Sequence, residues 1–295
     1  MAIYFALSCF YATFADMTSP NGYTIQVRGK LIDLSSPVVM GILNVTPDSF
    51  FAGSRKQTER EIAERARQII EEGGGMIDVG AFSTRPGAQE VSEEEEQERL
   101  HFALAVVRKE VPDAVISVDT YRPMVARRCV EEWGADIIND VSEGGKTGIV
   151  NTPIHEKESM FKTVADLQVP YILMSVQANL HDMMISFADE VAQLRSLGQK
   201  DIILDPGFGF GKTLEQNYTV LAEMEKLQVL DLPVLVGVSR KSMIFKLLGG
   251  DPTTALNGTT VINTISLQKG ASILRVHDVR EAVEAIKITT STFNL

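Results

Sequence analysis

Apolar residues gather in eight short unbroken runs from Val38 onward, each closing on or beside a polar residue and leading into a stretch with helical spacing. The runs are 38–44 (VVMGILN), 76–80 (MIDVG), 114–119 (AVISVD), 136–140 (DIIND), 171–175 (YILMS), 201–205 (DIILD), 234–238 (VLVGV) and 272–277 (SILRVH). Strands covered on both faces read as continuous aliphatic segments, whereas half-exposed strands alternate. Eight such units predict an α/β fold, a (β/α)8 TIM barrel, in which function sits at the C-terminal strand ends. Those ends are Asn44, Asp78, Asp119, Asn139, Asp140, Ser175, Asp205, Ser239, Arg275 and His277. Ahead of the first run, residues 23–27 and 30–34 alternate around Arg28-Gly29, which predicts an N-terminal β-hairpin plugging the bottom of the barrel.

The intervening stretches carry helix signals of uneven strength. Thr58 with Glu61 reads as a capping box ahead of Ile62, Ala66, Ile69 and Ile70, and Gly73-Gly74-Gly75 stops that helix. Ser92 with Glu95 reads as another, so the acidic run 90–98 is expected to be a solvated helix start rather than a metal site. Residues 122–133 end at Gly134 and residues 253–269 at Gly270, as helices do. The segment 140–153, with Gly144, Gly145 and Gly148, is expected to form a mobile loop on the functional face.

Composition narrows the class of protein. The barrel calls for one domain, 23–295, preceded by a poorly ordered extension, 1–22. A net charge of −11 argues against a nucleic-acid or anionic membrane partner, so an anionic substrate must be met by a few local cations. Cys9 and Cys129 cannot form a disulfide framework and suit a reducing compartment. Residues 1–15 hold no Lys or Arg, so they lack the charged start of a signal peptide, and they are too short to span a bilayer; a cytoplasmic protein is expected.

Several of the strand ends carry more chemistry than a barrel needs. Arg275-Val276-His277 places two donors two residues apart on the last strand, where barrels commonly hold a phosphate. Lys241 and Ser242 follow the seventh strand and open a helix, a place for an anion. Asn44-Val45-Thr46-Pro47-Asp48-Ser49 and Ser83-Thr84-Arg85-Pro86-Gly87 would ordinarily be read as turns, yet both fall on the functional face. The glycines of Asp205-Pro206-Gly207-Phe208-Gly209-Phe210-Gly211-Lys212 match neither a P-loop nor a Rossmann fingerprint; they are read as letting backbone and Phe210 approach a flat ligand. Asp119, Asn139 and Asp205 make a poor set for a hard cation and suit the paired N–H edge of a pterin or purine.

Together GILNVTPDSF, DVGAFSTRPG, ISVDT, IINDV, LDPGFGFGK, GVSRKSMI and RVHDV resemble dihydropteroate synthase, the folate-pathway family targeted by sulfonamides. The resemblance implies a homodimeric TIM-barrel transferase that joins 4-aminobenzoate to 6-hydroxymethyl-7,8-dihydropterin diphosphate, giving 7,8-dihydropteroate and pyrophosphate. It implies catalytic roles for Asp119, Lys241, Arg275 and His277, and a pterin site of Asp119, Asn139, Asp205, Lys241 and Arg275. Asn44, Thr84, Arg85, Arg275 and His277 would meet the diphosphate, with Asn44 also on a Mg2+ ion; Thr84, Pro86, Phe210, Lys241 and Ser242 would hold 4-aminobenzoate. The pattern departs after the fifth strand, where Met174-Ser175-Val176-Gln177-Ala178 stands for the Met-His-Met-Gln-Gly of many members, and in the first loop, Phe51-Ala52-Gly53-Ser54. The competing readings are a pterin-binding methyltransferase domain and a non-catalytic pterin-binding paralogue. Methyl transfer leaves no diphosphate for Arg275 and His277 to bind.

Overall fold

The computed structural model describes residues 22–45, 55–82, 91–143 and 159–293. Two antiparallel strands, β1 (Thr24–Val27) and β2 (Lys30–Asp33), come first. Eight parallel strands follow: β3 (Val38–Asn44), β4 (Met76–Gly80), β5 (Val115–Asp119), β6 (Ile137–Asp140), β7 (Tyr171–Met174), β8 (Ile202–Asp205), β9 (Leu235–Val236) and β10 (Ile273–Val276). Their order is β8-β7-β6-β5-β4-β3-β10-β9, and a parallel bridge between Leu204 and Val234 closes the ring. The helices are α1 (Arg55–Glu71), α2 (Glu93–Glu110), α3 (Pro123–Glu131), α4 (Met160–Leu167), α5 (Leu180–Ser196), α6 (Leu214–Glu223), α7 (Ser242–Leu248), α8 (Leu256–Gln268) and α9 (Val279–Phe293).

Alternation of side chains across a strand divides the core in two. Outward residues such as Val39, Leu43, Ile77 and Val79 pack under the helices. Inward residues near the strand starts form a separate layer to which every barrel strand gives one side chain: Met40, Met76, Val115, Ile137, Ile172, Ile203, Leu235 and Ile273. Ile25, Val27 and Leu34 of the hairpin cover this layer, which is the expected plug. Arg28 fixes it in place by donating to the carbonyls of Pro112, Asp113 and Ala114 at 3.1, 3.0 and 2.9 Å and by pairing with Asp136 at 3.2 Å. With the lower half of the barrel filled, room for chemistry is left at the upper strand ends.

Several sequence expectations need correction. Helix α1 begins at Arg55, so Thr58 lies within it and is buried rather than capping it. Ser92 does cap α2, accepting from the Glu95 N–H at 3.2 Å, but the acidic run is not wholly solvated. Glu96 is fully buried and bonded to Arg122, whose other nitrogen reaches the Val91 carbonyl at 2.7 Å. Arg122 is the cap residue of α3, because Pro123 fits the first helical turn. The 253–269 helix is split: a 3-10 turn at Pro252–Thr254, capped by Asp251, precedes α8. Most of the 140–153 loop lies outside the described residues, as do the extension before residue 22 and the loops 46–54 and 83–90.

Candidate active site

Strand register sets the site's first row. Asn44 pairs with Gly80, Gly80 with Asp119, and Asp119 with Asn139, so the ends of four adjacent strands lie side by side. Glycine in that row lets its neighbours' side chains lie close. A Cβ on Gly80 would sit 3.2 Å from Asn44 Oδ1 and 3.6 Å from Asp119 Cβ. One turn of the pleat below, Asp78 is fully buried.

Arg275 reaches across from β10 into this row. Its Nε donates to Asp78 Oδ2 at 2.6 Å and an NH2 nitrogen donates to Asp119 Oδ2 at 2.9 Å. Asn139 Nδ2 donates to the same Asp78 oxygen at 3.1 Å. In the sequence Asp78 is a strand-end acid without a motif of its own; the structure makes it the junction of Arg275 and Asn139. The signal was available in its position: it is an acid two residues before a strand end, on the same face as the row above it. Burial opposes a charge on Arg275, yet Asp78 and Asp119 hold its guanidinium firmly protonated. Burial pushes Asp119 up to about 7, against the pull of Arg275 and with help from Asp78, Glu96 and Asp140. Oδ1 of Asp78, Oδ1 of Asp119 and Oδ1 of Asn139 are buried and have no partner among the described residues. Unpaired buried acceptors are costly, and donors of a bound molecule would satisfy them.

The second group comes from the loop after β8 and the start of α7. Asp205 accepts the Gly207 N–H at 2.8 Å, and burial raises its pKa despite Lys241. Lys241 precedes the first residue of α7, Ser242; its stem crosses Gly209, and its ammonium donates to the Phe208 carbonyl and sits 4.6 Å above the Phe210 ring. Burial lowers Lys241 to about 8, with Asp205 opposing. Lys212 is likewise brought down to about 8 by burial, and it ties together the carbonyls of Ser175, Gly207 and Phe210 at 3.2, 3.0 and 3.2 Å. Gly207 is required by the protein's own packing: it has φ +65°, and a Cβ there would fall 2.1 Å from the Ser175 carbonyl oxygen. The altered loop after β7 is braced by Glu143, which accepts the Val176 N–H at 2.6 Å.

The third group lies at the seam of β3 and β10. β10 ends at Val276, so His277 leaves the strand rather than repeating the direction of Arg275. Its Nδ1 is 3.0 Å from Ser239 Oγ, and its N–H donates to that oxygen at 3.1 Å. His277 and Asn44 line one cavity of about 340 Å³ with Thr58, Glu61 and Arg65. Thr84, Arg85 and Pro86 lie outside the described residues. Among the described residues no cluster of three or more His, Cys, Asp or Glu side chains could hold a metal ion.

A family model described as pterin binding enzyme matches residues 40–277. The chain is 38% identical to the dihydropteroate synthase of Escherichia coli (strain K12) over 282 residues, covering 90% of this chain and 95% of the relative. The chain belongs to the dihydropteroate synthase family. The Bacillus subtilis (strain 168) synthase is 36% identical over 265 residues, 87% of this chain and 89% of that one. Solved structures agree. Yersinia pestis dihydropteroate synthase with a sulfonamide drug complex superposes with a TM-score of 0.80 at 35% identity, covering 92% of this chain and all of that one. Xanthomonas albilineans dihydropteroate synthase with 4-aminobenzoic acid gives 0.81 at 33% identity, covering 94% and 100%. As a dihydropteroate synthase the chain is a transferase of folate biosynthesis.

Proposed function

We propose that this chain joins 4-aminobenzoate to 6-hydroxymethyl-7,8-dihydropterin diphosphate by a dissociative displacement at the pterin methylene. The observation that carries the proposal is the Asp78–Arg275–Asp119 cluster beside Asn139, with its unpartnered buried acceptors. A pterin edge rich in N–H donors suits Asn139 and Asp205, while Lys241 donates to the ring carbonyl. Arg275, with its planar guanidinium, lies along the ring and reaches the departing diphosphate, and Asn44, Thr84, Arg85 and His277 complete the anion site. The C–O bond at the methylene breaks with its electron pair leaving on the diphosphate. Asp119 is placed to stabilise the resonance-delocalised cation that remains. The aryl amine then forms the C–N bond and loses a proton; being neutral and nucleophilic, it needs positioning more than a strong base. Thr84, Pro86, Phe210, Lys241 and Ser242 hold the aminobenzoate, the position at which a sulfonamide would compete.

Mg2+ fits this site sparingly. The ion keeps several waters and takes one or two protein oxygens when phosphates supply the rest. Asn44 offers such an oxygen, exposed at the end of β3 over the cradle that a Cβ on Gly80 would fill. Bound there, the ion would neutralise charge on the leaving diphosphate. We also propose one catalytic domain over 23–295, a cytoplasmic location and a homodimer. No described helix is long and apolar enough to cross a membrane. Exposed Leu247 and Leu248 on α7, Val261 on α8 and Ile288 on α9 supply apolar surface for a second copy.

The test is purified protein with the pterin diphosphate, Mg2+ and radiolabelled 4-aminobenzoate, with Lys241→Ala as control. Labelled dihydropteroate and pyrophosphate are expected from the wild type and not from the variant. Pterin binding without product would overturn the catalytic reading and favour a binding paralogue.

A further inference from the structure

Arg65, on α1, lines the cavity of Asn44 and His277 and has no part in the roles above. Its three nitrogens all point to uncharged acceptors: Nε to the Ile42 carbonyl at 3.2 Å, NH1 to Gln68 Oε1 at 3.1 Å and NH2 to the His277 carbonyl at 2.6 Å. Ile42 lies near the end of β3 and His277 just past the end of β10, so one side chain spans the seam between the first and last pair-forming strands of the ring. The carboxylates that act on it from further away are engaged elsewhere. Asp278 makes a two-pronged pair with Arg240 at 2.9 and 2.8 Å, and Glu72 lies 3.9 Å from Arg280. Burial of the guanidinium lowers its pKa, and the pull of Glu72 and Asp278 offsets that cost only in part. In the wall of the cavity that contains Asn44 and His277, Glu61 is the acid.

We propose that Arg65 is a positioning residue for the leaving diphosphate: it locks the Asn44 and His277 strand ends together and adds a fixed positive charge to the wall they share. The proposal rests on the diphosphate reading given above. A guanidinium held by backbone carbonyls on β3 and just past β10 is pre-organised, so its field at an anion in the cavity needs no rearrangement on binding. The charge would act on the anion across the cavity, while the carbonyl bonds act on the geometry of Asn44 and His277. These two contributions are separable by substitution.

Arg65→Gln keeps a neutral donor and removes the charge, and Arg65→Lys keeps the charge but cannot bridge both carbonyls in the same fork. Full-length wild type and both variants are titrated calorimetrically with inorganic pyrophosphate at low and high ionic strength, and steady-state constants are measured for both substrates. The expected result for Arg65→Gln is pyrophosphate binding and KM for the pterin diphosphate each weakened roughly tenfold, the scale of one charge-assisted contact. Its KM for 4-aminobenzoate stays within about twofold, and its pyrophosphate affinity depends less on salt than that of the wild type. Arg65→Lys retains most of the affinity and loses kcat. Unchanged pyrophosphate binding in Arg65→Gln, or an equal loss for both substrates with unchanged salt dependence, overturns the proposal. A wild type that binds the pterin diphosphate but not pyrophosphate keeps the synthase reading and removes the Arg65 role. A wild type that binds neither removes the diphosphate reading and the Arg65 proposal with it.

Discussion

One oxygen of Asp78 accepts from both Arg275 and Asn139, and the carboxylate also raises the pKa of Asp119 on the neighbouring strand. In the proposed reaction two ionisations are expected to bracket activity. Asp119 would act as the anion beside a cation, and burial brings its pKa to about 7; Lys241 would donate in its protonated form, and burial brings its pKa to about 8. The expected kcat/KM for the pterin diphosphate rises through pH near the first value and falls near the second. Asp78→Asn removes a negative neighbour, so its acid limb moves to lower pH while the basic limb stays. A pH–rate profile in which both limbs stay put, with only amplitude lost, would reduce Asp78 to a packing role. Asp119 also makes a stability prediction with a definite sign. The folded chain holds its proton up to about 7 and the unfolded chain releases it near 3.8, so the folded state binds more protons in between and this group's contribution declines as pH rises across that window.

Among the connecting elements, the loop after β8 is tightly constrained. Gly207 occupies the left-handed region, and its missing side chain lets the loop lie against the Ser175 carbonyl, where Lys212 also binds. Gly207→Ala is expected to cost about 2 kcal/mol or more, from positive-φ strain and a backbone clash together, measurable by chemical denaturation. Its pterin affinity should fall with it, because Asp205 and Lys241 are both set by this loop. A variant of wild-type stability would show that the loop can shift without loss. The cap signals on such elements were only partly readable. Ser92 acts as its sequence suggests, whereas Thr58 lies inside α1 and Glu96 leaves the acidic face for a buried pair with Arg122. A cap motif states a local preference, and packing from α3 decided which member of the acidic run went inward.

For the molecule as a whole, the outer faces of α7, α8 and α9 leave Leu247, Leu248, Val261 and Ile288 in solvent. If these faces join two copies, Leu248→Asp produces a monomer in light scattering while far-ultraviolet circular dichroism keeps the barrel signature; a monomeric wild type would end the dimer proposal. The alternation around Arg28-Gly29 determined the hairpin, and the continuous apolar runs determined the barrel, because burial on both faces leaves a pattern that survives without neighbours. They also placed Asn44, Asp119, Asn139, Asp205 and Arg275 at the functional rim, since strand ends follow from the period of the chain. Only the tertiary structure decided which rim residues meet. Arg275 turns to Asp78 and Asp119, His277 turns instead to Ser239, and Arg65 joins two strand ends 23 and 212 residues away in sequence. Such pairings depend on barrel closure and on desolvation, which are properties of the assembled ring and of no single segment.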